Sequence, residues 1–394
     1  MVKNSKSKSM EIKPDIETFA KILVVGVGGS GGSAVNRMIN AGIKGVDFIS
    51  VNTDAQALSS NEADRKLHIG RETTRGLGAG MDPEVGGRAA EESKEEIKAA
   101  LQGADMVFIT CGLGGGTGSG AAPVIAEMAK DLGALTVAVV TRPFAFEGAQ
   151  RRSISERALD NLIDKVDTII TIPNDRLLQV IDKKTSLLDA FSIVDEVLRQ
   201  GVQGISELIT IPGLVNVDFA DVKSVMKDAG SALMGIGRAS GENRSVEAAK
   251  LAIDSPLLEM SIKGAKGVLF TVTGDATMGM YEVHEAAEVI TSALDPNARV
   301  IFGAVIDDKM DDEVKVTVIA TGFNANKHME DVSSVKSYTP NPVVEKIEPK
   351  SKPSLKKDDD RKPDVFRKRQ EVKSDDQEED DELDIPTFIR KKMG

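Results

Sequence analysis

Apolar and polar positions alternate between short continuous apolar runs and longer stretches with helical spacing over most of the first three hundred residues. Residues 21–25, KILVV, carry an apolar run from Ile22 that runs into glycines, the pattern of a strand buried on both faces. Comparable runs recur at 46–51, 105–110, 135–141 and 168–172, separated by amphipathic segments such as 91–101. A strand that is apolar on both faces needs a helix on each side, so this order predicts parallel βαβ units. Residues 187–209 then place Leu188, Phe191, Val194, Leu198, Val202, Ile205 and Ile209 three and four apart, predicting a long helix stopped at Pro212-Gly213.

Beyond that helix, helical patterns at 222–233 and 280–294 lie among strand-like runs at 267–272, 299–306 and 314–321, and a sheet of mixed strand direction is expected. After Phe323 the pattern gives way to Pro, Lys, Ser and acidic residues, a composition that cannot offset the entropy of ordering. The predicted fold class is therefore α/β: a parallel-sheet domain at 21–186, a central helix at 187–209 and a smaller α+β second domain at 210–323. A disordered extension at 1–20, a disordered linker at 324–380 and a short tail peptide at 381–394 complete the expected organisation. In that tail Leu383, Ile385, Phe388 and Ile389 stand beside Arg390, Lys391 and Lys392, a combination expected of a docking peptide. The acidic stretch before it, 375–384, reads as a solvated run.

Composition narrows the chemistry. With 62 acidic against 50 basic residues the net charge is -12, which argues against a general nucleic-acid binder dependent on cationic phosphate contacts. No apolar run approaches the roughly 18 residues of a membrane span, the first residues lack a secretory apolar segment, and Cys111 has no second cysteine with which to pair. A reducing, cytoplasmic setting is expected. His68, His284 and His328 are the only histidines, and their spacing makes neither a metal-ligand cluster nor a Cys/His pair. The chemistry is left to carboxylates, backbone amides and an ion.

Two glycine loops supply the amides. The first, 26–33 (GVGGSGGS), follows a predicted strand and opens a helical pattern, which aims backbone N–H groups at an anion. Because it contains GxGxxG and Asp54 follows at a suitable distance, a Rossmann-type nicotinamide site fits this loop alone equally well. The second, 112–120 (GLGGGTGSG), has the same strand-to-helix setting, and a plain turn needs far fewer glycines. Two such cradles suggest a phosphate chain held from both sides. The sequence contains no GxxxxGK[ST], so a P-loop lysine is excluded.

Other positions admit two readings. Phe191 and Asp195 are four apart on the predicted long helix, so one ring and one carboxylate share a face: the ring can stack on a purine while the carboxylate accepts the adjacent donors that guanine offers and adenine lacks. Spacing alone favours Phe191 as a core aromatic. Asp218 and Asp221 bring two carboxylates near one helix end, which suits water activation; as a helix cap and a first-turn acid they fit the spacing even better.

The segment GGGTGSG at 114–120 resembles the signature loop of the tubulin/FtsZ GTPase superfamily, and neighbouring segments agree with that family in order. They are VNTDAQAL at 51–58, RGLGAGMDP at 75–83, RPFAFEG at 142–148, IPNDRL at 172–177 and NVDFADV at 216–222, so that the resemblance spans 21–323. It implies a GTP site made of Gly28, Gly29, Ser30, Ser33, Asn52, Asp54, Gly112, Gly115, Gly116, Thr117 and Gly118. Gly78, Ala79 and Gly80 are implied near the terminal phosphate, Pro143, Glu147 and Arg151 at the ribose, and Asn174, Phe191 and Asp195 at the base. It further implies Mg2+ carried on the phosphates with no direct protein ligand. Asp218 and Asp221 would act on the GTP of the next subunit in a head-to-tail filament of a bacterial division ring at mid-cell. The tail residues Leu383, Asp384, Ile385, Pro386, Phe388, Ile389 and Arg390 are similar to the peptide by which such proteins bind a membrane-tethering adaptor of the FtsA type.

The sequence departs from the family pattern at Ser30 and Ser33, where glycine and asparagine are expected, and at Ala149-Gln150, where a more basic pair is usual. The first change puts a hydroxyl in place of an amide side chain beside the phosphates; the second reduces positive charge near the nucleotide.

Overall fold

The computed structural model describes residues 20–178, 184–211, 213–215, 217–255, 258, 260–307 and 310–323. Residues 1–19 of the expected 1–20 extension, the linker, the tail peptide, Pro212 and Asn216 lie outside the described residues. The chain runs β1 (Ile22–Val27), α1 (Gly28–Asn40), β2 (Val46–Asn52), α2 (Ala55–Ser59), β3 (Arg65–His68), α3 (Arg71–Thr74), α4 (Pro83–Glu92) and α5 (Lys94–Leu101). It continues through β4 (Met106–Gly112), α6 (Gly116–Asp131), β5 (Leu135–Arg142), α7 (Ala149–Ile163), β6 (Thr168–Pro173) and α8 (Asn174–Leu177). After α9 (Leu187–Thr210) come α10 (Phe219–Met226), β7 (Gly230–Ser240), α11 (Arg244–Ile253), β8 (Gly267–Gly274), α12 (Met280–Ser292), β9 (Arg299–Ile306) and β10 (Glu313–Thr321).

The strands hydrogen-bond in the order β3-β2-β1-β4-β5-β6-β7-β10-β8-β9. Pairing is parallel from β3 through β7, β10 is antiparallel to both neighbours, and β8 and β9 are parallel, which gives the expected mixture of directions. Period-two alternation within β1 sends Ile22 and Val24 into a cluster with Met38 of α1 and Val202 and Ile205 of α9. Leu23, Val25 and Val27 face the opposite cluster, with Ala122 and Ile125 of α6 and Leu162 of α7. Every residue of β1 is buried, as expected of a strand covered by helices on both faces.

The long helix α9 packs on both halves of this sheet, because Gly201 and Gly204 leave room for it. A methyl group on Gly201 would lie 3.2 Å from Val139 of β5 and 3.3 Å from Met234 of β7, and one on Gly204 would lie 3.0 Å from Thr317 of β10. Val202, Ile205 and Leu208 accordingly share one apolar cluster with Met234, Leu269 and Ile319.

The helical pattern expected over 222–233 is a correction. Helix α10 ends at Met226, Asp228 (φ 50°) and Gly230 (φ 68°) reverse the chain in left-handed backbone, and β7 starts at Gly230. Leu233 and Met234, which look like another helical turn, belong to opposite faces of that strand. The single amphipathic segment expected at 91–101 is divided at Ser93 between α4 and α5.

Candidate nucleotide site

Strands β1 and β4 lie side by side and parallel, and the helices that follow them leave to opposite faces: α1 joins the cluster of α9, and α6 joins that of α7. Such a reversal opens a crevice beyond the carboxyl ends of the two strands. Both glycine loops sit at this crevice. Val27 and Gly115 hold extended backbone before α1 and α6, and neither helix receives a side-chain cap. By contrast, Asp54, Asp82, Ser186 and Asp218 cap α2, α4, α9 and α10. The first-turn amides of α1 and α6 thus remain available, with two positive helix ends meeting at one place.

The loops touch. A methyl group on Gly28 (φ 74°) would lie 3.1 Å from the Gly118 amide nitrogen, and one on Gly118 would lie 2.9 Å from the Gly112 carbonyl oxygen. Both positions require glycine, the first for conformation as well as space. Between the loops lies a cavity of about 400 Å³ whose wall includes Gly28, Gly29, Ser30 and Ser33 from the first, and Gly112, Gly115, Gly116, Thr117 and Gly118 from the second. Ser33 Oγ donates to the Gly29 carbonyl at 3.2 Å, so its hydroxyl is already directed at the first loop.

Pro143, Glu147, Arg151, Asn174, Phe191 and Asp195 complete the far end of the cavity. Glu147 Oε1 accepts from the Phe144 amide at 2.9 Å while Oε2 pairs with Arg151 at 2.6 Å, which fixes both side chains. Phe191 is 41% exposed, with its ring edge-on to Phe144 at 5.7 Å, so a face remains open to stacking. Asp195 is pushed up to about 6 by burial, against the opposing charge of Arg37. Asn174 is 5% exposed, and its Oδ1 has no hydrogen-bond partner among the described residues. An open aromatic face beside two acceptors in need of donors suits a purine that presents N–H groups, as guanine does.

Asn52, Asp54, Gly78, Ala79 and Gly80 do not line this cavity. Asn52 Oδ1 accepts from the Asp54 amide at 3.2 Å, and Asp54 Oδ1 accepts from Gln56 and Ala57 at 2.9 and 3.1 Å. The 78–80 loop instead braces the wall: a methyl group on Gly116 would meet Ala79 Cβ at 2.8 Å. Asp218 and Asp221 are exposed and outside the cavity, with Asp218 Oδ1 accepting from the Asp221 amide at 2.7 Å. The capping geometry suggested by their spacing is therefore present. The partner-binding positions, Leu383, Asp384, Ile385, Pro386, Phe388, Ile389 and Arg390, lie outside the described residues.

Sequence reasoning missed Val27, Leu113, Thr141 and Val194, which also line the cavity, and Thr53, whose hydroxyl meets that of Thr117 at 2.6 Å. Val27 and Leu113 lie within the glycine loops and could have been taken with them. Thr53 and Thr141 carried no signal, being ordinary strand-end residues until the sheet brings them together.

Residues 21–182 match the model of the Tubulin/FtsZ family, GTPase domain, and residues 230–324 that of the FtsZ family, C-terminal domain. Among solved structures, an empty FtsZ dimer from M. jannaschii is 49% identical, with a TM-score of 0.75 over 78% of this chain and 89% of that chain. CetZ2 from Haloferax volcanii, a GTPγS-bound protofilament, shares the fold at 22% identity and a TM-score of 0.67 over 79% of this chain and 96% of its own. CetZ1 from the same organism, a GDP-bound monomer, shares it at 21% identity and a TM-score of 0.68 over 79% and 97%. The nicotinamide alternative finds no support in these matches.

Proposed function

The chain belongs to the tubulin/FtsZ family and is a GTPase, and from that premise we propose that it cleaves GTP at the junctions of a head-to-tail filament. In this reading the triphosphate lies across the uncapped starts of α1 and α6, the ribose meets Glu147 and Arg151, and guanine stacks on Phe191 with its donors on Asn174 and Asp195. Residues 21–186 form the GTP-binding domain, 187–209 connect the two domains and present Phe191 and Asp195 to the base, and 210–323 activate the neighbour's site. Mg2+ would be held by the phosphate oxygens, where it would offset charge on the triphosphate. No direct protein ligand to the ion is needed: Glu147 and Asp195, the carboxylates that line the cavity, serve the ribose and base, and the hydroxyls of Ser30, Ser33 and Thr117 line the phosphate end.

What supports a shared site is the content of the wall. None of the lining residues at the glycine loops is a carboxylate, histidine or glutamine able to orient a water molecule. Asp218 and Asp221 are suitable groups and are exposed outside their own cavity. Supplied by an adjoining subunit, Asp218 orients the water and takes its proton as the water oxygen attacks the γ-phosphorus; the bond from that phosphorus to the β-phosphate oxygen breaks and GDP departs. Loss of the γ-phosphate removes contacts at the junction, which couples hydrolysis to filament turnover. The dimeric M. jannaschii relative and the CetZ2 protofilament are consistent with head-to-tail association.

The cellular reading follows the family: a division-ring filament at mid-cell in the cytoplasm, joined through residues 383–390 to a membrane-tethering adaptor of the FtsA type. No helix among the described residues is long and apolar enough to cross a membrane, so attachment through an adaptor suits the chain. The deciding measurement is GTP turnover per molecule against protein concentration. A shared site gives a threshold followed by a rise, and constant turnover down to high dilution would refute it.

A further inference from the structure

A second cavity, of about 190 Å³, lies behind the 142–148 loop and shares Pro143 with the nucleotide cavity. Its wall carries Arg142, Arg152 and Arg176 together with Ser155, Asp175 and the apolar Pro143, Phe144 and Pro173. The guanidinium groups come from separate elements. Arg142 ends β5 opposite Pro173 of β6, Arg176 belongs to α8, and Arg152 stands near the positive end of the 15-residue α7. Ser155 is one turn after Arg152, on the same side of α7; it is 1% exposed, and its hydroxyl has no partner among the described residues.

We infer that this cavity is a second oxyanion site, built for a phosphate group. Arg176 forms no side-chain hydrogen bond or ion pair among the described residues. Arg152 is held only by a 3.6 Å pair with Glu156 in which both side chains are more than half exposed, a weak tie that an anion readily replaces. The one carboxylate on the wall, Asp175, already accepts from the Ala145 amide at 2.9 Å. Two available planar forks and a buried hydroxyl donor around a small volume match the several acceptor oxygens of a tetrahedral anion. At less than half the volume of its neighbour, the cavity suits a phosphate group better than a nucleotide. Its source is either inorganic phosphate, which the adjacent reaction releases, or the phosphoryl end of a small monoester. The site stands on its own geometry and holds whether or not the active site is shared between subunits.

The test is 31P relaxation of added inorganic phosphate, and separately of glycerol 2-phosphate, with the full GDP-loaded chain. Arg152→Ala and Arg176→Ala should each weaken binding by about tenfold, and Ser155→Ala by a smaller factor, while GDP affinity and the unfolding midpoint stay unchanged. Binding of phosphate assigns the free ion as ligand; binding of the monoester alone assigns an organic phosphate. Should neither anion bind, or should binding persist undiminished in Arg152→Ala and Arg176→Ala, the site does not exist and any phosphate seen belongs to the nucleotide cavity. Arg152 is exposed, so Arg152→Ala gives a folded comparison even if the Ser155 or Arg176 variant unfolds.

Discussion

Gly28 and Gly118 stand in contact across the crevice between β1 and β4, with a methyl group on the first lying 3.1 Å from the amide nitrogen of the second. This contact joins the starts of two helices that belong to opposite faces of the sheet, and it sets the spacing of the two amide cradles. Gly118→Ala would press a methyl group to 2.9 Å from the Gly112 carbonyl oxygen. Because that obstacle is backbone, the loop must shift. GDP and GTP affinity should fall by at least about tenfold, the equivalent of 1.4 kcal/mol, in a chain that still folds, as read by equilibrium binding alongside thermal unfolding.

Asp195 gives the site a pH dependence of definite sign. Burial holds its carboxyl up to about 6 in the nucleotide-free protein, so below that pH the group carries a proton that guanine must displace. Affinity is complete above about 6 and falls by up to about tenfold per pH unit below it. Asp195→Asn should bind weakly and show no such slope. Phe191→Ala should cost about 1–3 kcal/mol of stacking without changing the slope. Binding of the unaltered protein that stays level from pH 7.5 to 5 would remove Asp195 from base recognition.

Asp218 has two roles that substitution separates. Asparagine caps a helix nearly as well as aspartate, whereas alanine loses about 1 kcal/mol of cap. Asp218→Asn is therefore expected to retain stability and nucleotide binding but lose most turnover, and Asp218→Ala to lose turnover and some stability. Near-normal hydrolysis by Asp218→Asn would leave Asp218 as a cap alone.

For the tail, deletion of residues 381–394 should leave GTP-dependent sedimentation intact and abolish co-sedimentation with an FtsA-type adaptor. Retained adaptor binding by the shortened chain would move the docking site elsewhere.

Much of this molecule is written in local pattern. Short apolar runs, ended by glycine at β1 and β4 and by Pro173 at β6, specified β1, β4, β5 and β6, because a strand covered on both faces has few places for polar side chains. The spacing from Leu188 to Ile209 specified α9, and the two glycine loops marked the cavity, since that density of glycine has no use in an ordinary turn.

Other features exist only once distant segments meet. The reversal at Asp228 and Gly230 turned an apparently continuous helical pattern into α10 and β7, because backbone direction at two residues outweighs the periodicity of their neighbours. Asp54 caps α2, its carboxylate accepting from amides of its own helix, a role that only the placement of that helix makes visible. Thr53, Thr141 and the Arg152–Ser155–Arg176 grouping carried no local mark at all. Sequence determines which residues can be buried, turned or charged, but which of them share a cavity depends on sheet order and helix placement, and these follow from packing the whole chain.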